Sequence, residues 1–128
     1  MTIQMKKLIL IALLIFSSPS YAEWTKIGQL DGDTFYVDFE RLRKHGGYVY
    51  FWSLTDLRKP YGPVWSAIRY QQGDCNLFRF KTLQFIFHSV PMGRGAGAPQ
   101  EPGKEHQGWE YPPPYSAMED ILQQVCSR

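Results

Sequence analysis

The 128-residue chain has little of what usually announces chemistry. It holds 2 cysteines and 3 histidines, and His45, His88 and His106 are scattered, with no H-x-x-x-H spacing and no cysteine beside them. A metal site would need ligands at closer, regular intervals. Gly93-Arg94-Gly95-Ala96-Gly97 lacks the Gly-Lys-Ser/Thr ending of a phosphate loop and does not lead from a strand into a helix. Asp31-Gly32-Asp33 lacks the spaced ligands and closing glutamate of a calcium loop. No catalytic residue, metal or cofactor is expected, and the chain is not read as an enzyme. Long apolar runs are missing too. The only one, Leu8–Phe16, is 9 residues, far short of the ~20 that cross a bilayer as a helix.

What that short run does is mark a leader. Lys6 and Lys7 precede it, and Ser17-Ser18-Pro19 then Ser20-Tyr21-Ala22 follow. This is the layout of a secretory signal peptide, residues 1–22, with cleavage before Glu23. One small domain, 23–128, remains. Taking Lys6 and Lys7 from the 14 basic residues leaves 12, equal to the 12 acidic ones. The mature chain is near neutral, which disfavours nucleic acid as a partner. In an exported chain, Cys75 and Cys126 read as one disulfide. Closing a loop of that length stabilises the fold by roughly 4 kcal/mol in the chain-entropy view. The alternative, Cys75 as a nucleophile, needs a lone thiolate beside a base.

The pattern along the mature chain is mostly strand. Trp24–Leu30, the Asp-Gly turn and Thr34–Asp38 form a predicted hairpin. Phe39–His45 reads as a short helical turn capped by Asp38 and stopped by Gly46-Gly47. Tyr48–Leu54 alternates, with Val49 and Phe51 on one side and Tyr48, Tyr50, Trp52 and Leu54 on the other. Arg58–Pro63 reads as a turn, Val64–Tyr70 as a strand, Gln71–Asp74 as a turn, and Asn76 to about His88 as a strand region. Near Thr82 the apolar positions shift from even (Phe78, Phe80) to odd (Leu83, Phe85, Phe87). Either a bulge sits there or both faces are covered. Residues 91–115 hold six prolines and five glycines and read as an excursion without elements, anchored at its far end by Trp109. Ser116-x-x-Glu119 is a capping box, and Met118, Ile121, Leu122 and Val125 line one stripe of the helix behind it. The predicted class is α+β: a single antiparallel sheet of five to six strands, with a C-terminal helix on one face tethered by the disulfide.

One helix covers one face. Treating residues of equal parity in Val64–Tyr70 and Asn76–Lys81 as sharing a side puts Ile68, Tyr70, Phe78 and Phe80 in the core. Trp65, Arg69, Arg79 and Lys81 then share the open face, an aromatic beside three cations, and are the candidate protein-binding residues. The bland reading is solvated charge with a cation–π contact to Trp65. The basic run Arg41, Arg43, Lys44, His45 reads as a solvated turn.

The landmarks in order are Trp24; Tyr36-Val37-Asp38; the Tyr48–Leu54 strand; Ser66; Asp74-Cys75; Met92-Gly93; Trp109; the prolines before Ser116; and Val125-Cys126. Over essentially the whole mature chain this set resembles the surface-adhesin protein E family of exported bacterial proteins. The resemblance implies an antiparallel sheet with a disulfide-tethered helix, adhesion to host extracellular-matrix or serum proteins, and dimers. The family's namesake carries lipid on a cysteine after its leader, whereas Glu23 follows Ala22 here. The expected product is therefore unlipidated and does not span the membrane, and it resides in the periplasm or is secreted to the cell surface. The leading expectation is a non-enzymatic binding module, with the tract 91–115 joining the contact surface. The alternative is a periplasmic accessory protein, an inhibitor or an envelope assembly or stress factor, with an envelope protein as partner.

Overall fold

The computed structural model describes residues 22–128. The leader expected over 1–22 therefore lies, but for Ala22, outside the described residues. Seven strands form one antiparallel sheet: β1 (Thr25–Leu30), β2 (Asp33–Val37), β3 (Arg43–His45), β4 (Tyr48–Tyr61), β5 (Val64–Asp74), β6 (Arg79–His88) and β7 (Gly97–Gln100). Among the described residues there is one α-helix, α1 (Ala117–Cys126), near the C-terminus. The sheet order is β1-β2-β4-β5-β6-β7, and β3 pairs with β4 end to end with β2.

Turn chemistry builds this meander. Asp31 and Gly32 both have positive φ, 53° and 89°, so the β1–β2 link is the two-residue turn whose twist matches paired strands. Gly46 and Gly47, at 61° and 82°, do the same between β3 and β4. That pair corrects one expectation. Only Phe39–Arg41 is helical, as a 3₁₀ turn capped by Asp38, whose Oδ1 accepts from the Glu40 amide at 3.1 Å. Arg43–His45 instead pairs with Tyr50–Tyr48, because two consecutive glycines make a hairpin as readily as they end a helix. Two further expected turns are strand. Arg58–Tyr61 continues β4 to a tight Gly62-Pro63 link, and Gln71–Asp74 continues β5 to a turn at 75–78. Backbone pairing to β6 overrides the polar composition of Gln71–Asp74.

A bulge is present next to Thr82. Tyr70 pairs with Gln84 and Gln71 with Thr82, leaving Leu83 as the extra residue. Phe80 below it and Phe85 and Phe87 above it therefore lie on one side, although their numbers change parity.

Helix α1 packs across β1, β2 and β4. Its stripe, Met118, Ile121, Leu122 and Val125, meets Val37, Val49, Phe51 and Phe80 in the core. Ser116 Oγ accepts from the Glu119 amide at 3.2 Å, as the capping box requires. The approach is close: a Cβ on Gly73 would stand 2.8 Å from a Val49 methyl and 3.0 Å from a Leu122 methyl. The Cys75–Cys126 disulfide ties the last turn of the helix to the β5–β6 turn. Beyond the helix, this face carries Trp65, Phe85 and Phe87, and beside them a buried polar relay. Ser53 Oγ donates to Gln71 Oε1 at 2.7 Å, and Gln71 Nε2 donates to Thr82 Oγ1 at 3.1 Å, a buried relay across three strands.

The tract 91–115 is not without elements. Pro91–Gly93 is a 3₁₀ turn, Gly97–Gln100 pairs with β6, and Lys104–His106 is another 3₁₀ turn. Glu110 then bridges Phe80 on the same edge of β6, with backbone hydrogen bonds of 2.8 and 2.9 Å. Among the described residues, no helix is long and apolar enough to cross a membrane.

Candidate protein-docking face

The register decides which side chains meet. On the face turned away from α1, rows run across the strands: Arg43, Tyr50, Gln72 and Lys81; then Trp52, Tyr70 and Gln84; then Leu54, Ile68 and Ile86. The Leu54–Ile68 end is covered by the Pro91–Gly93 turn. Gly93, at φ 63°, lies so close that a Cβ would stand 2.7 Å from an Ile68 carbon. The turn is locked by Ser66, whose hydroxyl donates to the Val90 carbonyl at 2.7 Å and accepts from the Gly93 amide at 2.8 Å. Asp56 accepts from the Met92 amide at 2.8 Å.

The other end of that face is lined by half-buried aromatic rings. Trp52 and Tyr70 lie 4.6 Å apart between ring centres, Tyr50 and Tyr70 6.3 Å, and Tyr48 and Trp109 5.4 Å. Strand alternation explains the first four, since Tyr48, Tyr50, Trp52 and Tyr70 all point to the side that α1 leaves bare. Trp109 arrives from the tract, next to the Glu110 bridge, as the expected anchor.

Cations flank the rings in a repeated arrangement. At one side Asp38, buried, accepts from Arg41 Nε at 2.7 Å, and the Arg41 guanidinium carbon stands 5.1 Å from the centre of Trp52. At the other, buried Asp74 accepts from Arg79 Nε at 2.9 Å, and that guanidinium stands 4.4 Å from the centre of Trp109. In both, the second carboxylate oxygen caps backbone amides: Glu40 for Asp38, Asn76 and Leu77 for Asp74. Lys81 adds its ammonium 4.6 Å from Trp109. The Arg79 hydrogen bond holds the Asp74 carboxyl below its ordinary range, helped by the Leu77 and Asn76 amides, although burial pushes the other way. Arg79 in turn binds its proton more tightly, through Asp74 first and also through neighbouring Tyr111.

The sequence-predicted site residues do not form one cluster. Arg79 and Lys81 are on this face. Trp65 and Arg69 are on the helix side, because β5 alternates with Gln71 and Gly73 toward the core. The expected core set divides in the same way: Phe78 and Phe80 belong to the helix side, and Ile68 and Tyr70 to the opposite one. The cause is Leu83. Equal parity shares a face above the bulge, as in Arg69 with Phe85, whereas opposite parity does so below it, as in Gln72 with Lys81. Arg69 sits opposite Ser53 and Phe85 with its Nε buried and without a partner, and burial lowers its pKa to about 10 against the opposing pull of Glu110. Trp65 is partly exposed near the β4–β5 turn. What the sequence reading missed is Arg41, taken for a solvated turn. Its signal was the spacing from Asp38, three residues earlier on a turn.

Elsewhere, a cleft of about 420 Å³ opens beside the disulfide between Lys44, Gly47, Val49 and Val125. Among the described residues, no three His, Cys, Asp or Glu side chains are grouped to hold a metal ion.

Comparison with known proteins agrees with this architecture. No curated protein matches the sequence. Among solved structures, a second crystal form of Haemophilus influenzae protein E superposes with a TM-score of 0.66 at 17% identity, covering 87% of this chain and 94% of that one. A selenomethionine form of the same protein gives 0.66 at 14% identity, covering 87% and 91%. Protein E from non-typeable H. influenzae gives 0.61 at 17%, covering 87% and 81%. These likenesses establish a shared fold. The family model described as surface-adhesin protein E matches residues 24–127, and the chain belongs to that family.

Proposed function

We propose that the protein is exported by its leader and acts as a non-enzymatic, adhesin-like binding module that docks proteins on the ring-lined face. The observation that carries this is the uneven cover of the sheet. The helix protects the β1–β2–β4 part of one face and the Pro91–Gly93 turn one end of the other, while the half-buried rings of Tyr50, Trp52, Tyr70 and Trp109 gather on the face the helix does not reach, flanked by Arg41, Arg79 and Lys81. Tyrosine, tryptophan and arginine are the residues that interfaces favour and that carry most of their binding energy. Family membership supports a protein partner. Host matrix or serum proteins are the proposed partners, with an envelope protein of the producing cell as the second reading.

Two variants test the face. Tyr70→Ala and Lys81→Glu are expected to weaken binding to immobilised matrix or serum proteins at least tenfold, while Trp65→Ala, on the other side of the sheet, leaves it unchanged. Equal loss for Trp65→Ala, or none for the first two, overturns the docking face. Protease shaving of intact cells beside osmotic-shock release then separates surface display from periplasmic residence, and with it the host reading from the envelope reading.

A further inference from the structure

The chemistry of the partner follows from how charge is distributed over the open face, and it rests on the docking reading above. Arg41 and Arg79 are each neutralised by a buried aspartate. Arg43 and Lys81 are not: among the described residues neither has an ion-pair partner within 4.0 Å. These two cations close the two ends of one row, Arg43–Tyr50–Gln72–Lys81, whose middle is uncharged. Arg43 is exposed, and its Nη1 donates to the Glu40 and Leu42 carbonyls at 3.2 and 2.9 Å, which orients the group. Three strand spacings of ~4.8 Å put the row's ends roughly 14 Å apart.

An extended peptide covers that span in four residues, at about 3.4 Å each, and its residues i and i+4 point to the same side. Residue i+2 also points there, over Tyr50 and Gln72. We propose that this face recognises an extended acidic polypeptide segment bearing two carboxylates four residues apart, one reaching Arg43 and one reaching Lys81, with an apolar side chain between them against Tyr50 and Tyr70. The balance of 12 basic and 12 acidic residues in the mature chain fits two carboxylates and not a polyanion such as a sulfated glycan, which calls for a broad basic surface. Neutralising two cations on a rim of aromatic rings steers association and sets register.

Capped decapeptides in a serine–alanine background give the probe. One carries glutamates four apart with leucine midway, a second carries them two apart, and a third has glutamine at both sites. Binding is read from tryptophan fluorescence and from the Trp109 indole NMR signal. The four-apart peptide is expected to bind at least fivefold more tightly than either of the others, and to weaken as salt rises. That preference is expected to vanish in Lys81→Glu and in Arg43→Gln, the latter an exposed position that leaves the fold alone. Loss of binding in Tyr70→Ala without any dependence on spacing, Lys81 or Arg43 overturns the acidic segment and leaves the docking face standing. Indifference to Tyr70→Ala as well overturns both. Tighter binding of a sulfated oligosaccharide than of the four-apart peptide, lost in Lys81→Glu, also overturns the peptide assignment.

Discussion

The two faces of this sheet are made from the same alternating strands, and they end in opposite ways. On one, Val49 and Phe51 meet Leu122 and Val125 with no room for a methyl on Gly73, and a disulfide holds the helix down. On the other, Tyr50, Trp52 and Tyr70 occupy the neighbouring positions of the same strands, pack against one another, and are flanked by Arg41. A helix-covered face stabilises by removing apolar surface from water and excluding voids. An aromatic face with preset cations, as proposed here, would keep that surface in reserve for a partner. On the proposed reading, stability and binding fall on opposite sides of one sheet, and substitutions on the two sides should have separable effects.

The sharpest break of that contrast is on the covered side. Cys75→Ser with Cys126→Ser is expected to lower unfolding free energy by about 4 kcal/mol, measured by urea denaturation. A much smaller loss would mean that the helix holds its place by packing alone. Next comes the polar relay. Gln71→Ala leaves Ser53 and Thr82 without their partner in a buried site and is expected to cost about 2 kcal/mol. On the open side, Tyr70→Ala is expected to cost under about 1 kcal/mol while weakening partner binding, since its ring is only half-buried. A loss comparable to Gln71→Ala would erase the distinction between the faces. Arg69→Met, on the helix side of the sheet but beyond the helix, is expected to leave the thermal midpoint unchanged or higher, because it removes a half-buried guanidinium whose buried Nε lacks a partner.

Acidity offers the gentlest probe. Asp74's carboxyl sits below its ordinary value in the folded chain, so its contribution is complete above the unfolded value of ~3.9 and is lost as pH falls from there through the lower folded value. The midpoint of the wild type should therefore fall more steeply below about pH 4 than that of Asp74→Asn.

Much of this was legible in the sequence because it is local. The Asp-Gly turn, the capping box at Ser116, the helix stripe and the alternation of Tyr48–Leu54 each depend on residues a few positions apart. The disulfide follows from a pair of cysteines in a chain read as exported. What was not legible depends on counting through an irregularity. The shift of apolar positions at Thr82 was visible, but one extra residue at Leu83 inverts the facing of everything below it, moving Tyr70 out of the core and separating Trp65 and Arg69 from Arg79 and Lys81. The composition of 91–115 concealed β7 because a four-residue edge strand needs only one neighbour, and Pro99 is tolerated there. Trp109's role as an anchor was readable, but its landing place between Tyr48, Arg79 and Lys81 was not, since that contact spans about sixty residues of chain on one side and thirty on the other.

The most direct test places a photo-reactive benzoylphenylalanine at Gln72, in the middle of the open face, and separately at Gln123, exposed on the outer side of the helix. Cells making each form are irradiated with and without serum or matrix proteins. Adducts from position 72 and none from position 123 are expected, and the condition that yields them identifies whether the partner belongs to the host or to the producing cell's envelope. Adducts from position 123 alone, equal adducts from both, or none from position 72 in either condition would contradict docking on the aromatic face.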